Sequence, residues 1–239
     1  MCAVAPPSVN LDAQSRPPDA GVAVVPGPNG LSQAVATAAA GGATWLWLVD
    51  QDVAPEPTAL EALLALLPVL GELGDPPLLA GKVVGADGRL DRVRPPWPRL
   101  LAREVAIIGA EHRVAALRAA RYGSLLVHVR AVRRHGPPRV DFAGAGDDLE
   151  WTGRILRDEP GYLVPHSVAV RRADPTGAGD GAMLMRNRVR ILRGDGWGGQ
   201  EKAWFAFLAA QDAARELTQR PAAAPGLLRA VGRGLRAPA

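Results

Sequence analysis

The stretch that most limits how this chain can fold is Ala43-Thr44-Trp45-Leu46-Trp47-Leu48-Val49-Asp50-Gln51-Asp52-Val53-Ala54-Pro55. The five apolar residues from Trp45 to Val49 are bulky and partly aromatic, which suits a short buried strand better than a helix. The run stops abruptly at two carboxylates one residue apart. Ligands of open α/β sheets bind outside the carboxyl ends of the strands. An Asp-x-Asp at such an end presents oxygens to one hard divalent cation, and that cation holds a diphosphate. A plainer reading stands beside this one: Asp50 and Asp52 are turn residues, with Asp52 close to the start of the next helix.

Around this strand, helical and extended patterns alternate. Residues 1–20 hold four prolines and read as an irregular lead-in. Residues 21–25 suit a strand, the Pro/Gly cluster at 26–30 a turn, and the alanine-rich residues 31–40 a helix opened by Asn29 or Gly30. After the acidic turn, Leu60, Leu63, Leu64 and Leu67 recur at helical spacing, and Pro68 is expected to end that helix. Strands are expected at 78–84, 124–129 and 163–170. A proline-rich loop is expected at 91–99, and 104–121 suits either class. Gly144-Ala145-Gly146 forms a hinge before Asp147-Asp148-Leu149-Glu150, whose acids favour the positive end of a helix. Helices follow at 182–193 and 200–219, then a short basic and apolar tail. This order predicts an α/β fold: a mixed, mostly parallel sheet flanked by helices, with a C-terminal helical tail.

With 239 residues and 48% apolar content, the chain can bury one sizeable core. The formal charge of +4 is small, and no basic face is interleaved with aromatics, so a nucleic-acid partner is not expected. Cys2 is the only cysteine, which excludes an intramolecular disulfide and a multi-cysteine zinc site. There is neither a signal-peptide pattern nor an apolar run of membrane-spanning length. The expected location is therefore cytoplasmic. In the tail Leu227, Leu228, Val231 and Leu235 alternate with Arg229, Arg233 and Arg236, which suits contact with an anionic membrane surface, and a disordered terminus is the plainer reading beside it.

Several stretches in order resemble the family 2 glycosyltransferases, inverting enzymes of the GT-A fold that use nucleotide sugars, and among them the rhamnosyl- and galactofuranosyl-transferase type. They are Pro28-Asn29-Gly30-Leu31-Ser32-Gln33-Ala34, the Leu48 to Pro55 acidic motif, Ala80-Gly81-Lys82-Val83-Val84-Gly85-Ala86-Asp87-Gly88-Arg89, Gly123-Ser124-Leu125-Leu126-Val127, Asp148-Leu149-Glu150-Trp151-Thr152-Gly153-Arg154 and Met185-Arg186-Asn187-Arg188. The likeness covers roughly residues 21–195, with 196–239 as a C-terminal helix and basic tail. The family's opening Thr-Tyr-Asn and Asp-Asn-x-Ser-x-Asp strands have no counterpart, so the chain resembles a member lacking them. Arg171 stands where the family has a metal-binding histidine, and His166 lies five residues earlier.

The resemblance implies transfer of a sugar from a nucleoside-diphosphate sugar to a hydroxyl of a glycan or lipid-linked acceptor, in cell-envelope assembly, with a divalent cation (Mn or Mg). Asp148 is then the base. Asn29, Gly30 and Asp50 serve the donor, and Asp52 with His166 holds the metal. Glu150, Trp151 and Arg154 meet the acceptor, with Trp151 as a sugar-stacking wall. Each has a plainer reading: Asp148 as a helix cap, Asp147 as a cap or orienting neighbour, Glu150 as a solvated first-turn acid, Trp151 as core, His166 as an exposed strand residue. A non-catalytic remnant or binding module is the alternative for the whole chain.

Overall fold

The computed structural model describes residues 1–6, 8–24, 29–71, 75–91, 96–99, 103–142, 145–172 and 181–237. Most of the turn cluster at 26–30, Gly144 of the hinge and residues 92–95 of the loop at 91–99 lie outside them. The described residues build the expected mixed α/β architecture around one nine-stranded sheet.

The first strand is unexpected. β1 (Cys2–Ala5) lies within the stretch read as an irregular lead-in. It pairs in parallel with β2 (Ala20–Ala23) on one side and β3 (Trp45–Val49) on the other. Its four small residues alternate between faces as a pleat requires: Cys2 and Val4 join one core, Ala3 and Ala5 the other. The prolines that made the segment look irregular come after the strand.

Between β2 and β3 runs α1 (Gly30–Ala40), which buries Ala34, Val35, Ala38 and Ala39. β3 is followed by the acidic turn and β4 (Val53–Pro55), then α2 (Ala59–Leu64) and α3 (Leu67–Gly71). Pro68 does not stop a helix; it sits in the first turn of α3, where its missing N–H costs nothing. α2 buries Leu60 and Leu63 completely against the second core. Each such burial contributes about 1.5–3 kcal/mol.

β5 (Leu78–Val84) follows. Trp97–Pro98 pairs as a two-residue strand, β6, where a loop was expected. The ambiguous stretch divides into α4 (Arg103–Glu111) and β7 (Ala115–Ala119). Next come β8 (Ser124–His128), α5 (Val129–His135), α6 (Asp147–Ile155) and β9 (Gly161–Arg171). The C-terminal helices are α7 (Gly181–Arg193), α8 (Gly199–Gln219) and α9 (Ala224–Arg236).

The sheet order is β2-β1-β3-β8-β5-β9-β7-β6, with β4 paired to β9. The pairings make β1, β2, β3, β5, β6 and β9 point one way, while β8, β7 and β4 oppose them. The first core packs α1, α5 and α6 on one face, and the second packs α2 and α3 on the other. A third cluster, with Phe142, Leu149, Ile191, Trp197 and Phe205, ties α6 to α7 and α8. Strand directions and connections put the ends of β3, β5 and β9, and the start of α1, on one rim of the sheet.

Candidate active site

Two groups of charged side chains meet this rim. The first is the turn after β3. Asp50 donates its backbone N–H to the Gly123 carbonyl at 3.1 Å, which ties the turn to the start of β8. Asp52 faces the end of β9: Val53 pairs with Arg171, and the Arg172 N–H donates to the Asp52 carbonyl at 2.8 Å. The Arg171 side chain is 6% exposed and ion-paired to both Asp52 and Asp91, with Nε donating to Asp91 Oδ2 at 3.0 Å. Arg171, which stands where the resembled family has a metal-binding histidine, is thus a buried bridge between the β3–β4 turn and the chain leaving β5. Asp91 was missed because only the fold brings it beside Asp52; nothing in its local sequence marks it.

His166 does not join Asp52, and the expected metal pair is corrected. β9 carries extra residues opposite Gly81 and Lys82, where Val164 and Val168 are consecutive partners of β5. Pro165 lies within that bulge, consistent with its missing ladder donor. His166 is exposed there, five residues before Arg171, which is on the order of 15 Å along an extended strand. Asp52 already faces a guanidinium. Among the described residues, no group of three or more His, Cys, Asp and Glu is placed to hold a metal ion. Among the described residues, Asp52 and His166 therefore do not form the expected divalent-cation site.

The second group is the mouth of α6. Gly146 precedes it with φ +80°, a left-handed conformation that glycine adopts without strain. The loop before the helix is held by Asn187 of α7, which is fully buried. Its Nδ2 donates to the carbonyls of Phe142 at 2.8 Å and Ala145 at 2.6 Å. The Arg186-Asn187 element thus acts on the backbone that presents the acids. Asp148 is 6% exposed; it accepts from Arg121 at 2.9 Å and from the Leu149 N–H at 2.8 Å. Burial and the charge of Asp148 push the neighbouring Asp147 carboxyl up to about 7, against the pull of the backbone N–H groups at the helix start.

Tyr122 joins the two groups. Its hydroxyl is buried and has no hydrogen-bond partner among the described residues. Burial, followed by the charges of Asp147, Asp148, Glu150 and Asp50, holds its pKa well above the usual phenol value. The two acidic groups thus act on one side chain. Arg121 ends the stretch of uncertain class and Tyr122 falls between it and the next strand, so neither carries a local signal in the sequence.

The expected acceptor residues divide. Glu150 and Arg154 pair one helical turn apart, with Arg154 Nε and Nη2 donating to the two carboxylate oxygens at 2.9 and 3.1 Å. Both line a cavity of about 340 Å³ with His135, Arg139, Arg157 and Arg190 among its other walls. Trp151 is corrected: it is fully buried in the first core and donates Nε1 to the Gly136 carbonyl at 2.9 Å, so its ring is not a ligand wall. Asn29 caps α1 without a side-chain hydrogen bond, and Gly30 is buried in the first turn. They share the rim with Asp50 by topology.

No protein-family model and no curated protein sequence matches this chain. Solved structures do. S. aureus TarS residues 1–349 in complex with UDP-GlcNAc superposes with a TM-score of 0.57 at 11% identity, over 98% of this chain and 80% of that one. A further S. aureus TarS structure gives 0.55 at 12%, over 90% of this chain and 43% of its own. GalNAc-T7 with UDP, GalNAc and Mn²⁺ gives 0.53 at 15%, over 78% of this chain and 38% of its own. At these identities the likeness is one of fold: the chain has the mixed α/β, GT-A-like architecture of these glycosyltransferases.

Proposed function

We propose that this chain is a glycosyltransferase that moves a sugar from a nucleoside-diphosphate sugar to a hydroxyl of a glycan or lipid-linked acceptor, with inversion, in cell-envelope assembly. The observation that carries the reading is the Asp147–Asp148 pair at the α6 mouth, on the rim of a GT-A-like sheet, with one carboxyl raised to about 7. A proton acceptor works best with a pKa near the operating pH. In the proposed step the pair takes the acceptor hydroxyl's proton while the oxygen attacks the anomeric carbon. The bond from that carbon to the diphosphate oxygen breaks, and the nucleoside diphosphate leaves. Arg121 fixes Asp148, and Asn187 fixes the loop before the helix. Asn29, Gly30 and Asp50 face the donor, and Glu150 with Arg154 meets the acceptor. The family 2 assignment rests on the motifs quoted above.

A second reading, a binding module without turnover, is favoured by one observation: Asp52 faces Arg171. A panel of UDP-, GDP- and dTDP-sugars, read by melting temperature and by release of the nucleoside diphosphate, separates the two. The transferase reading expects stabilisation by a donor together with release of its diphosphate on adding acceptor. Stabilisation without release supports the binding module. No response to any donor contradicts both.

A further inference from the structure

The Asp-x-Asp turn has the composition of a cation site, but its charge is met from within the chain. Arg171 is the last residue of β9, pairs with Val53 across the β4 ladder, and sends its side chain inward rather than into solvent. There its guanidinium engages two carboxylates from separate parts of the fold: Asp52 after β3 and Asp91 beyond β5. Asp91 is itself 5% exposed on its side chain, so its partner is not exchanged freely with solvent ions. The backbone reinforces the same junction, with the Asp91 N–H donating to Val83 at 3.0 Å and the Arg172 N–H to Asp52 at 2.8 Å.

A divalent ion bridging Asp52 and Asp91 would have to sit where the guanidinium sits. An arginine is permanently charged, planar and able to serve two carboxylates at once, whereas a metal ion must strip its water and recruit further ligands. His166, the other expected ligand, is exposed in the β9 bulge and remote from this junction.

We propose that Arg171 is the resident cation of this site: it crosslinks the β3–β4 turn, the β5 exit and the β9 end, and it replaces a divalent ion there. The inference concerns the site's charge balance and stands apart from the transferase reading. Breaking a buried pair leaves a carboxylate uncompensated and is strongly destabilising.

The test is the melting temperature of the full chain in EDTA and in millimolar MnCl₂ or MgCl₂, for wild type, Asp52→Asn, Arg171→Ala and Arg171→His. Wild type is expected to melt at the same temperature with and without metal. Arg171→Ala is expected to melt roughly 5–10 °C lower in EDTA. Arg171→His, which sets an imidazole between the two carboxylates, is expected to regain part of that loss in Mn²⁺ but not in EDTA. If an arginine variant is insoluble without metal, that is the predicted loss in its extreme form, and the wild-type titration still decides. A saturable metal-induced rise in wild type that Asp52→Asn abolishes overturns the proposal. So does Arg171→Ala melting as wild type does in EDTA. A soluble Arg171→His with no response to Mn²⁺ overturns the equivalence of guanidinium and metal.

Discussion

Asp147 is half-buried beside another carboxylate, and both circumstances disfavour its charge. Its pKa in the fold, about 7, lies above the ordinary value of 3.8, so the folded state holds this proton across the interval between them. The associated stability is present in full below the lower value and is lost as pH rises through about 7. Wild type should therefore lose melting temperature between pH 5 and pH 8, and Asp147→Asn should flatten that slope; a parallel slope in the variant would remove Asp147 as its source. In turnover the same group predicts an acid limb with an apparent pKa of about 7, a value that belongs to the coupled pair rather than to one residue. Asn187 gives a second prediction at this scale. Asn187→Ala leaves two loop carbonyls without their donor, at a cost of about 1–3 kcal/mol each when buried. Chemical denaturation should show that loss, while Asn187→Asp should lose more by placing a charge among carbonyls.

Among the elements, those with a full local signal were legible. Trp45–Val49 is an unbroken apolar run and is a buried strand. The acids of Asp147-Asp148-Leu149-Glu150 sit at the start of a helix, as their charge favours. β1 was missed because four small residues carry little hydrophobic signal, and their pleat shows only once β2 and β3 flank them. The Arg171 bridge was missed because its partners lie 119 and 80 residues away in sequence. Trp151 shows the opposite error: an aromatic beside two acids suggests a ligand wall, yet its helical position turns it into the core. α9 supplies a prediction at this scale. Leu227, Ala230 and Gly234 face inward, whereas Leu228 and Leu235 are 73% and 57% exposed beside Arg229, Arg233 and Arg236. An exposed leucine ridge flanked by arginines suits an anionic bilayer surface. The chain should co-sediment with vesicles containing phosphatidylserine but not with neutral ones, and Leu228→Ser with Leu235→Ser should abolish it. Equal sedimentation of the double variant would end the membrane reading. Among the described residues no helix is long and apolar enough to cross a membrane.

At the scale of the whole molecule, one rim of the sheet gathers the β3 turn, the Arg171 bridge, the start of α1 and the α6 mouth, and the buried Tyr122 feels the charges of both acidic groups. The fold class was readable from the alternation of strands and helices, but how the acidic groups meet was not, because it depends on the crossing of residues 120–123 between β7 and β8. The transferase account requires that the α6 acids act on the reaction more than on donor binding. Loss of a general base falls on the transition state and costs ~10²–10⁴-fold in rate. Asparagine keeps the size of Asp148 and can still accept from the Leu149 N–H, but it gives up the charge that meets Arg121, so the melting temperature of the variant is measured beside its activity. The most direct measurement is donor affinity and single-turnover sugar transfer side by side, for wild type and Asp148→Asn, with the donor that stabilises the wild type. The account predicts donor affinity within a few-fold of wild type and transfer reduced at least ~10²-fold; unchanged transfer by Asp148→Asn would contradict it.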